Sequence, residues 1–248
     1  MITGIVVALP EELSTLTAKK IAKGQVVFIS ETIIVAYSGA GASNASAAAQ
    51  LLIAKGATRL MSWGCAGALS QNINSGDLVL ANSLLDSYGD LSISQSISSV
   101  WHSNTHQQLS KTITVHCGLL VESLDIVSTS TAKRALHQET GALAVDMESV
   151  AVAKIALQHG KPYLVIRSIV DPVYLDLPRA ISQSLNAQGE VVMRQLLWHI
   201  VRNPNEIPAL IKLGRHFNAA KNTLKVIAKQ LDSLTDQPFV TVSNIRPV

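Results

Sequence analysis

Blocks of apolar residues alternate with amphipathic stretches over the first two thirds of the chain, and this alternation predicts strands followed by helices. Short apolar runs rich in Val and Ile are typical of buried strands, whereas longer stretches with helical spacing or many alanines are typical of helices. The predicted strands are residues 2–9, 26–30, 32–38, 59–63, 77–82, 116–121, 142–145 and 162–170. One predicted helix starts at Pro10, and three more cover residues 42–55, 129–140 and 147–158. This order of elements predicts an α/β fold.

The alternation is interrupted in the middle of the chain and changes after the last strand. Residues 84–106 are polar and rich in serine, which predicts an irregular loop or a lid. Beyond residue 172 the chain is irregular at first, and a helical extension is predicted over about 187–234, ending in one long amphipathic helix or a pair. The last residues, 235–248, have little pattern and are expected to fray. No linker divides the chain, so residues 1–234 are predicted to form one domain.

Composition sets bounds on this picture. Of 248 residues, 48% are hydrophobic, 15% are charged and 4% are aromatic, so we expect a large core built from Val, Ile, Leu and Ala rather than a disordered chain. The formal net charge of +3 is too small to predict binding to nucleic acid. Residues 2–9 have no positive charge before them, and residues 191–201 are too short to span a bilayer. We therefore expect a soluble or peripheral protein located in the cytoplasm.

Two acidic segments follow apolar strands and carry the candidate chemistry. Asp146, Met147 and Glu148 come after one strand and lead directly into a helix, while Asp171 follows the longest apolar strand. Because open α/β sheets bind ligands at the carboxyl ends of their strands, we expect Glu148 and Asp171 to lie close together there. A third acid, Glu12, lies in the first turn of the first predicted helix.

A set of acids of this kind fits the cleavage of an N-glycosidic bond in a purine nucleoside. The purine leaves more readily when an acid protonates it, the ribose becomes positively charged, and the nucleophile attacks from the opposite face. Asp171, desolvated at a strand end, could be that acid. Glu148 could bind ribose hydroxyls, with Met147 as an apolar wall, and Glu12 could activate water.

Each acid also has a purely structural explanation. Glu12 and Glu148 each begin a helix, where a carboxylate stabilises the helix dipole. Asp171 precedes Pro172, which is a common way for a strand to end in a turn. Spacing alone therefore leaves the catalytic and the structural interpretation open for all three acids.

Two glycine-containing turns could hold an anion through backbone N–H groups. They cover residues 38–41 and 64–67, and neither matches a dinucleotide-binding or P-loop motif. Cys65 in the second turn could be a nucleophile, but the sequence places no histidine beside it, so a small buried residue is the better interpretation. With Cys117 as the only other cysteine, the chain has neither a disulfide framework nor a metal-ligand spacing. No metal or organic cofactor is predicted.

Taken in order, short motifs of the chain resemble the nucleoside phosphorylase superfamily and, locally, the methylthioadenosine/S-adenosylhomocysteine nucleosidases. The motifs are residues 4–8 with 11–12, 38–41, 64–69, 75–79, 145–148 and 167–171. The resemblance covers about residues 2–171. It implies a nucleoside phosphorylase-like fold of three layers, with a twisted, mixed central sheet flanked by helices, followed here by the C-terminal helical tail.

The resemblance also implies roles for individual residues. Asp171 would act on the purine N7, and Glu12 would orient the attacking water. Glu148 and Met147 would bind the ribose. Arg167 would support the acid rather than contact the substrate.

Further substrate contacts are implied at two segments where the chain departs from the small-thioether nucleosidases. The first comprises Cys65, Ala66 and Gly67, and Cys65 stands where those enzymes carry a serine. The second comprises Ile126 and Val127, and Ile126 stands where they stack an aromatic ring on the base. These departures make a thioadenosine substrate less favoured while leaving the glycosidic machinery in place.

The C-terminal part resembles the hopanoid-associated phosphorylases, and this resemblance extends almost to residue 234. The matching segments are residues 171–172, 177–178, 201–204 and 207–215. It implies that the enzyme releases adenine from an adenosylhopane-type lipid nucleoside in hopanoid biosynthesis. The basic amphipathic tail is compatible with peripheral contact with the inner membrane, although packing on the core is the more frequent role of such a helix.

Several alternatives stay open at this point. The protein could instead be a methylthioadenosine/S-adenosylhomocysteine nucleosidase, a purine nucleoside phosphorylase, or a non-catalytic nucleoside-binding module. Water and inorganic phosphate are both open as the nucleophile, although the chain lacks the arginines with which bacterial purine phosphorylases bind phosphate. Because relatives commonly pair, we expect a homodimer.

Overall fold

The computed structural model describes residues 1–87, 99–184 and 193–236. In this part of the chain, the strands are β1 (Thr3–Val7), β2 (Gln25–Phe28), β3 (Ile33–Tyr37), β4 (Arg59–Ala68), β5 (Leu78–Leu85), β6 (Val115–Glu122), β7 (Ala144–Asp146) and β8 (Tyr163–Ile169). They form one mixed sheet in the order β2-β3-β1-β4-β7-β6-β5-β8. The sheet curls back on itself, because β8 pairs with both β5 and β4.

Helices cover both faces of this sheet. They are α1 (Pro10–Leu16), α2 (Ala42–Ala54), α3 (Ser99–Leu109), α4 (Ser130–Thr140), α5 (Ser149–Gln158), α6 (Arg179–Ser182), α7 (Met193–Arg202), α8 (Ile207–Ala228) and α9 (Leu231–Thr235). Helices α2 and α5 contribute to the core on one face, and α1, α3, α8 and α9 to the core on the other. Successive residues of β1 point alternately into the two cores, Val6 into the first and Ile5 and Val7 into the second. The predicted three-layer α/β fold is confirmed.

The position of β8 determines where Asp171 lies relative to β4. All seven of its residues are buried, as expected for a strand covered on both faces. The backbone N–H of Val170 donates to the Ala66 carbonyl at 3.0 Å, and that of Ala68 donates to the Asp171 carbonyl at 2.9 Å. These bonds hold Asp171 beside the carboxyl end of β4.

The glycine-containing turn predicted for residues 64–67 is wrong, because β4 continues through these residues to Ala68. Gly67 pairs with Val145 of β7, and Gly64 pairs with Arg167 of β8. Glycine and alanine have low strand propensity, so the local sequence does not reveal the strand. Pairing with two neighbouring strands overrides that local preference.

The loop or lid predicted for residues 84–106 is also wrong in part. Leu84 and Leu85 complete β5, and the segment from Ser99 is the start of α3. Trp101 of α3 is completely buried, which anchors this polar helix to the core. Residues 88–98, the rest of the predicted lid, lie outside the described residues.

The helical extension is a series of helices that rest partly on the core. In α8, Ala220, Leu224 and Ile227 are buried, and Thr223 donates to the Gly76 carbonyl at 2.6 Å. The C-terminal half of α8 therefore packs on the core, as the alternative interpretation of the tail predicted. None of the helices described is both long and apolar enough to span a bilayer. The domain boundary stays a prediction, as does fraying of the tail, since residues 237–248 lie outside the described residues.

Candidate active site

The carboxyl-terminal half of β4 is the surface on which the candidate acids meet. A Cβ added to Gly64 would lie 2.6 Å from Oε1 of Glu12, and one added to Gly67 would lie 3.3 Å from Oδ2 of Asp171. Three residues of an extended strand span about 10 Å, so Glu12 and Asp171 flank a stretch of β4 about that long. The absence of a side chain at both glycines lets the carboxylates approach the strand.

Glu12 is held between its own helix and β4. Its Oε2 accepts a hydrogen bond from the N–H of Leu9 at 3.0 Å, and its Oε1 accepts one from the N–H of Cys65 at 2.7 Å. The first bond is the helix-start role that the structural explanation predicted, while the second directs the carboxylate across the sheet edge. Burial raises the pKa of Glu12, against the lowering effects of Arg167 and of backbone N–H groups.

Asp171 is paired with a lysine that the sequence analysis did not single out. Its Oδ2 lies 2.5 Å from Nζ of Lys133, whose side chain is completely buried in α4. Burial raises the pKa of Asp171, and the Lys133 ammonium partly offsets that rise. A carboxyl group with a raised pKa is suited to serve as an acid near neutral pH.

Glu148 lies above a buried ionic network at the end of β7. Its Oε1 accepts from the N–H of Gly41 at 2.9 Å, and its Oε2 lies 4.0 Å from Nη2 of Arg167. Arg167 donates to Asp146 at 2.5 Å and to Ser62 at 2.8 Å. Since Arg167 stands opposite Gly64 in the β4–β8 register, this network brings Glu148 to the same edge as Glu12.

All three acids are nearly closed off from solvent, with exposed fractions of 3% for Glu12, 8% for Glu148 and 9% for Asp171. Burial and the nearby charge of Asp146 raise the pKa of Glu148 to about 7, against the lowering effect of Arg167. A change of protonation in Glu148 is therefore expected within the physiological range.

The raised pKa of Glu148 predicts how stability depends on pH. The carboxyl ionises near 4.5 in the unfolded chain and near about 7 in the folded protein, so the folded state binds the extra proton between these values. Its contribution to stability is present below pH 4.5 and is lost as the pH rises through 7. We expect the free energy of unfolding to fall by about 3 kcal/mol more in the wild type than in Glu148→Gln across this window. Urea denaturation at several pH values measures the difference, and parallel curves would contradict it.

The three β4 residues predicted to contact substrate lie between Glu12 and Asp171. Cys65 donates its N–H to Glu12, and burial together with the charge of Glu12 raises the pKa of its thiol well above the ordinary value. The thiol is therefore protonated, which disfavours a cysteine nucleophile. Ala66 and Gly67 continue the strand toward Asp171.

The remaining predicted contacts, Met147, Ile126 and Val127, are all half-buried. Met147 stands between Asp146 and Glu148 in the sequence. Val127 packs against the apolar cluster that includes Val145. Cγ1 of Val145 lies 3.5 Å from the Cβ position of Gly67. This places Val127 near the Asp171 end of the site, and the substrate contacts of the three residues stay predictions.

A concave surface of about 520 Å³ lies elsewhere, between the turn at residues 30–32 and α9, and contains none of the three acids. Among the residues that the structure describes, no group of three His, Cys, Asp or Glu side chains could hold a metal ion. That the protein needs no cofactor stays a prediction.

Comparison with known proteins adds the family. The model of the phosphorylase superfamily matches residues 3–194, a range that contains all eight strands and all three acids. The chain belongs to the phosphorylase superfamily. This confirms the predicted resemblance to the nucleoside phosphorylase superfamily, and it confirms the predicted enzyme class at the level of the superfamily. The closer likeness to the hopanoid-associated phosphorylases stays a prediction.

Individual members of the phosphorylase superfamily are similar to the chain at low identity. A 5′-methylthioadenosine/S-adenosylhomocysteine nucleosidase of Staphylococcus epidermidis is 26% identical over 159 residues, which are 56% of this chain and 68% of that protein. The crystal structure of the corresponding nucleosidase of Helicobacter pylori, with butyl-thio-DADMe-Immucillin-A, has a TM-score of 0.65 at 23% identity and covers 94% of this chain and 97% of its own. The futalosine hydrolase of the same organism has a TM-score of 0.64 at 23% identity and covers 94% and 97%. The structural likeness shows the fold and leaves the substrate open.

Sequence reasoning placed Asp171, Glu148 and Glu12 at one site but missed part of their surroundings. Lys133 gave no sign of its role, because a lysine on a helix is normally solvated. The sequence indicates only that Lys133 lies three residues before Leu136, which packs on an apolar cluster, so both share one face of α4. Asp146 was recognised only as an acid at a strand end, whereas the structure makes it the partner of Arg167.

Proposed function

We propose that this member of the phosphorylase superfamily is an N-ribosyl hydrolase that releases adenine from a purine nucleoside. The observation that carries the proposal is that Glu12 and Asp171 lie beside Gly64 and Gly67, at opposite ends of one stretch of β4, with Glu148 at the same edge. The stretch of β4 between these glycines spans about 10 Å, which is long enough for a nucleoside to lie at the sheet edge between an acid and a water-orienting carboxylate. Superfamily membership supports the same chemistry.

The proposed reaction assigns one step to each carboxyl group. Protonated Asp171 donates its proton to N7 of the base as the bond between C1′ and N9 breaks. Glu148 accepts hydrogen bonds from ribose hydroxyls, and its negative charge stabilises the positively charged sugar. Glu12 orients a water and takes its proton as oxygen bonds to C1′. The products are adenine and a 5-substituted ribose.

We further propose, following the resemblance to the hopanoid-associated phosphorylases, that the substrate is a lipid-linked nucleoside of the adenosylhopane type. The exposed apolar residues of α7 and the start of α8 are Trp198, Val201, Ile207 and Ile211. Arg202 stacks on the Trp198 ring at 3.5 Å, and Lys212 is exposed beside them. An apolar surface with basic residues supports peripheral contact with an anionic membrane from the cytoplasmic side. A homodimer belongs to the same proposal.

The alternatives differ in what they release and from which compound. A methylthioadenosine/S-adenosylhomocysteine nucleosidase is favoured by the Staphylococcus epidermidis relative, and a purine nucleoside phosphorylase by the superfamily itself. Adenine release should be measured by chromatography from 5′-methylthioadenosine, adenosine and an adenosyl lipid, each with and without phosphate. Release only from the lipid supports the full proposal, and release only with phosphate supports phosphorolysis. No release from any of them, with binding retained, would leave a nucleoside-binding module.

The two glycines of β4 allow a matched test of the site. In Gly64→Ala the new Cβ would lie 2.6 Å from Oε1 and 2.9 Å from Cδ of Glu12, so the carboxylate must leave its bond with Cys65. In Gly67→Ala the closest contact, with Asp171, is 3.3 Å and needs only a small shift. We expect kcat/KM for adenine release to fall at least about 10-fold in Gly64→Ala, because Glu12 no longer orients the nucleophile. The loss in Gly67→Ala should be smaller and should come from the predicted substrate contact of Gly67 or from a small shift of Asp171. Equal losses in the two variants would argue against the position assigned to Glu12.

A further inference from the structure

Lys133 makes an unusually complete set of contacts for a buried lysine. Its ammonium lies 2.5 Å from Oδ2 of Asp171, 2.8 Å from the carbonyl of Leu175 and 3.3 Å from the carbonyl of Pro172. An ammonium has three protons to donate, and here each has an acceptor. All three acceptors belong to the segment that follows β8, so Lys133 fixes both the acid and the backbone that carries it.

Two further bonds join the same pair of segments. The N–H of Leu177 donates to the carbonyl of Ser128 at 2.8 Å, and the N–H of Ser130 donates to Oδ1 of Asp176 at 2.5 Å. We call the joined segments, residues 128–133 and 171–177, the clasp. The first segment directly follows Ile126 and Val127, so the clasp links the predicted base-binding residues to the acid.

We propose that Lys133 is a positioning residue that holds one carboxylate oxygen of Asp171 and thereby determines the pH range in which Asp171 can act as the acid. With Oδ2 engaged by the ammonium, Oδ1 is the oxygen left for the substrate. Oδ1 lies 3.4 Å from the Cβ position of Gly67, which is only half-buried. This inference rests on the proposed function, since it assigns the acid of that reaction.

The charges around Asp171 make Lys133 the group that can control its protonation. From α4 the ammonium of Lys133 faces the carboxyl group, and the charge of Asp171 helps to raise the pKa of the buried Cys65 thiol in β4. Arg167 is engaged by Asp146 at 2.5 Å and lies 4.0 Å from Glu148. Burial raises the pKa of Asp171 and Lys133 lowers it. Without Lys133 only the backbone N–H of Asp171 would still oppose the effect of burial, so the protonated acid would persist to higher pH.

The test is the pH profile of kcat/KM for Lys133→Met beside the wild type. We expect the alkaline limb to move upward by about one to three pH units, the shift that loss of an adjacent opposite charge causes. We also expect kcat to fall at least about 10-fold because Asp171 is no longer held. Lys154→Met is the matched control, since Lys154 lies on α5 and its ammonium pairs with the carboxylate of Asp86 at 2.9 Å. It should leave the alkaline limb unmoved. A loss of rate in Lys133→Met at every pH, without movement of the limb, would reduce Lys133 to a structural role and overturn the proposal.

A second measurement does not depend on catalysis. The carboxyl carbon of Asp171, assigned by comparison with Asp171→Asn, can be titrated by 13C NMR in the wild type and in Lys133→Gln, which keeps a hydrogen-bond donor but loses the charge. We expect the titration midpoint to rise in Lys133→Gln, and an unchanged midpoint would overturn the proposal even if Lys133→Met does not fold. If neither lysine variant folds, the 15N signal of the protected Lys133 ammonium can be compared between the wild type and Asp171→Asn. The pairing predicts that this signal shifts in Asp171→Asn, and an unchanged signal contradicts it.

These measurements separate the two proposals. A wild type that releases no adenine, together with a raised Asp171 midpoint in Lys133→Gln, would reject the proposed function and keep the control of Asp171 by Lys133. Adenine release with an unmoved alkaline limb and midpoint would keep the function and reject the role of Lys133.

Discussion

Turnover of adenine release is expected to fall by at least about 10² when Asp171 is replaced by asparagine. Asparagine has nearly the same shape, so its carbonyl oxygen can keep the contact with the Lys133 ammonium. Its amide group can still donate a hydrogen bond to N7 of the base, but it cannot transfer a proton to it. Single-turnover rates measured with excess protein would report the chemical step directly.

The control for this variant is Asp232→Asn, which removes an exposed carboxylate from α9 and leaves the three acids untouched. Its turnover should equal that of the wild type. Thermal unfolding of both variants verifies that a loss of rate is not a loss of fold. Unchanged turnover in Asp171→Asn would remove Asp171 from the reaction, and with it the proposed assignment of the acid.

Replacing Glu12 by glutamine is expected to lower the hydrolytic rate by at least about 10², because the variant cannot take a proton from the attacking water. The structure adds a second reason. Each carboxylate oxygen of Glu12 accepts from a backbone N–H, of Leu9 or of Cys65, and glutamine offers only one acceptor oxygen. The other N–H then faces an amide donor, at an expected cost of about 1–3 kcal/mol in stability.

This variant also separates the two nucleophiles. Phosphate carries its own negative charge and needs no base, so phosphorolysis would hardly change in Glu12→Gln, whereas hydrolysis would nearly stop. Rates of adenine release with and without phosphate give the answer. Glu11→Gln is the matched control in the same helical turn, because Glu11 is exposed and Glu12 is buried. A hydrolytic rate that is equal in both variants would contradict the role of Glu12.

The sequence predicted the parts of the fold whose local pattern and final environment agree. β8 is an apolar run that becomes a strand buried along its whole length, so its periodicity was sufficient. The acid after it could be placed at a sheet edge because the carboxyl ends of strands in such folds converge. The same reasoning brought Glu148 into the site from the strand that becomes β7.

The sequence could not predict features that depend on residues far apart in the chain. The glycine-rich end of β4 is a strand only because β7 and β8 pair with it. Trp101 turns a polar segment into a packed helix by entering the core. Lys133 reaches Asp171 through the fold, and no local pattern records that contact.

The clasp bears on any attempt to redesign which base the protein accepts. Ile126 and Val127 are the predicted base contacts, and they continue directly into the segment that holds Asp171 through Lys133. Because these two residues directly precede the clasp, we expect substitutions that move them to move the Lys133 ammonium as well, so that selectivity for the base and proton transfer to it change together. Variants selected for a new base should therefore regain speed through second changes at residues 128–133 or 171–177.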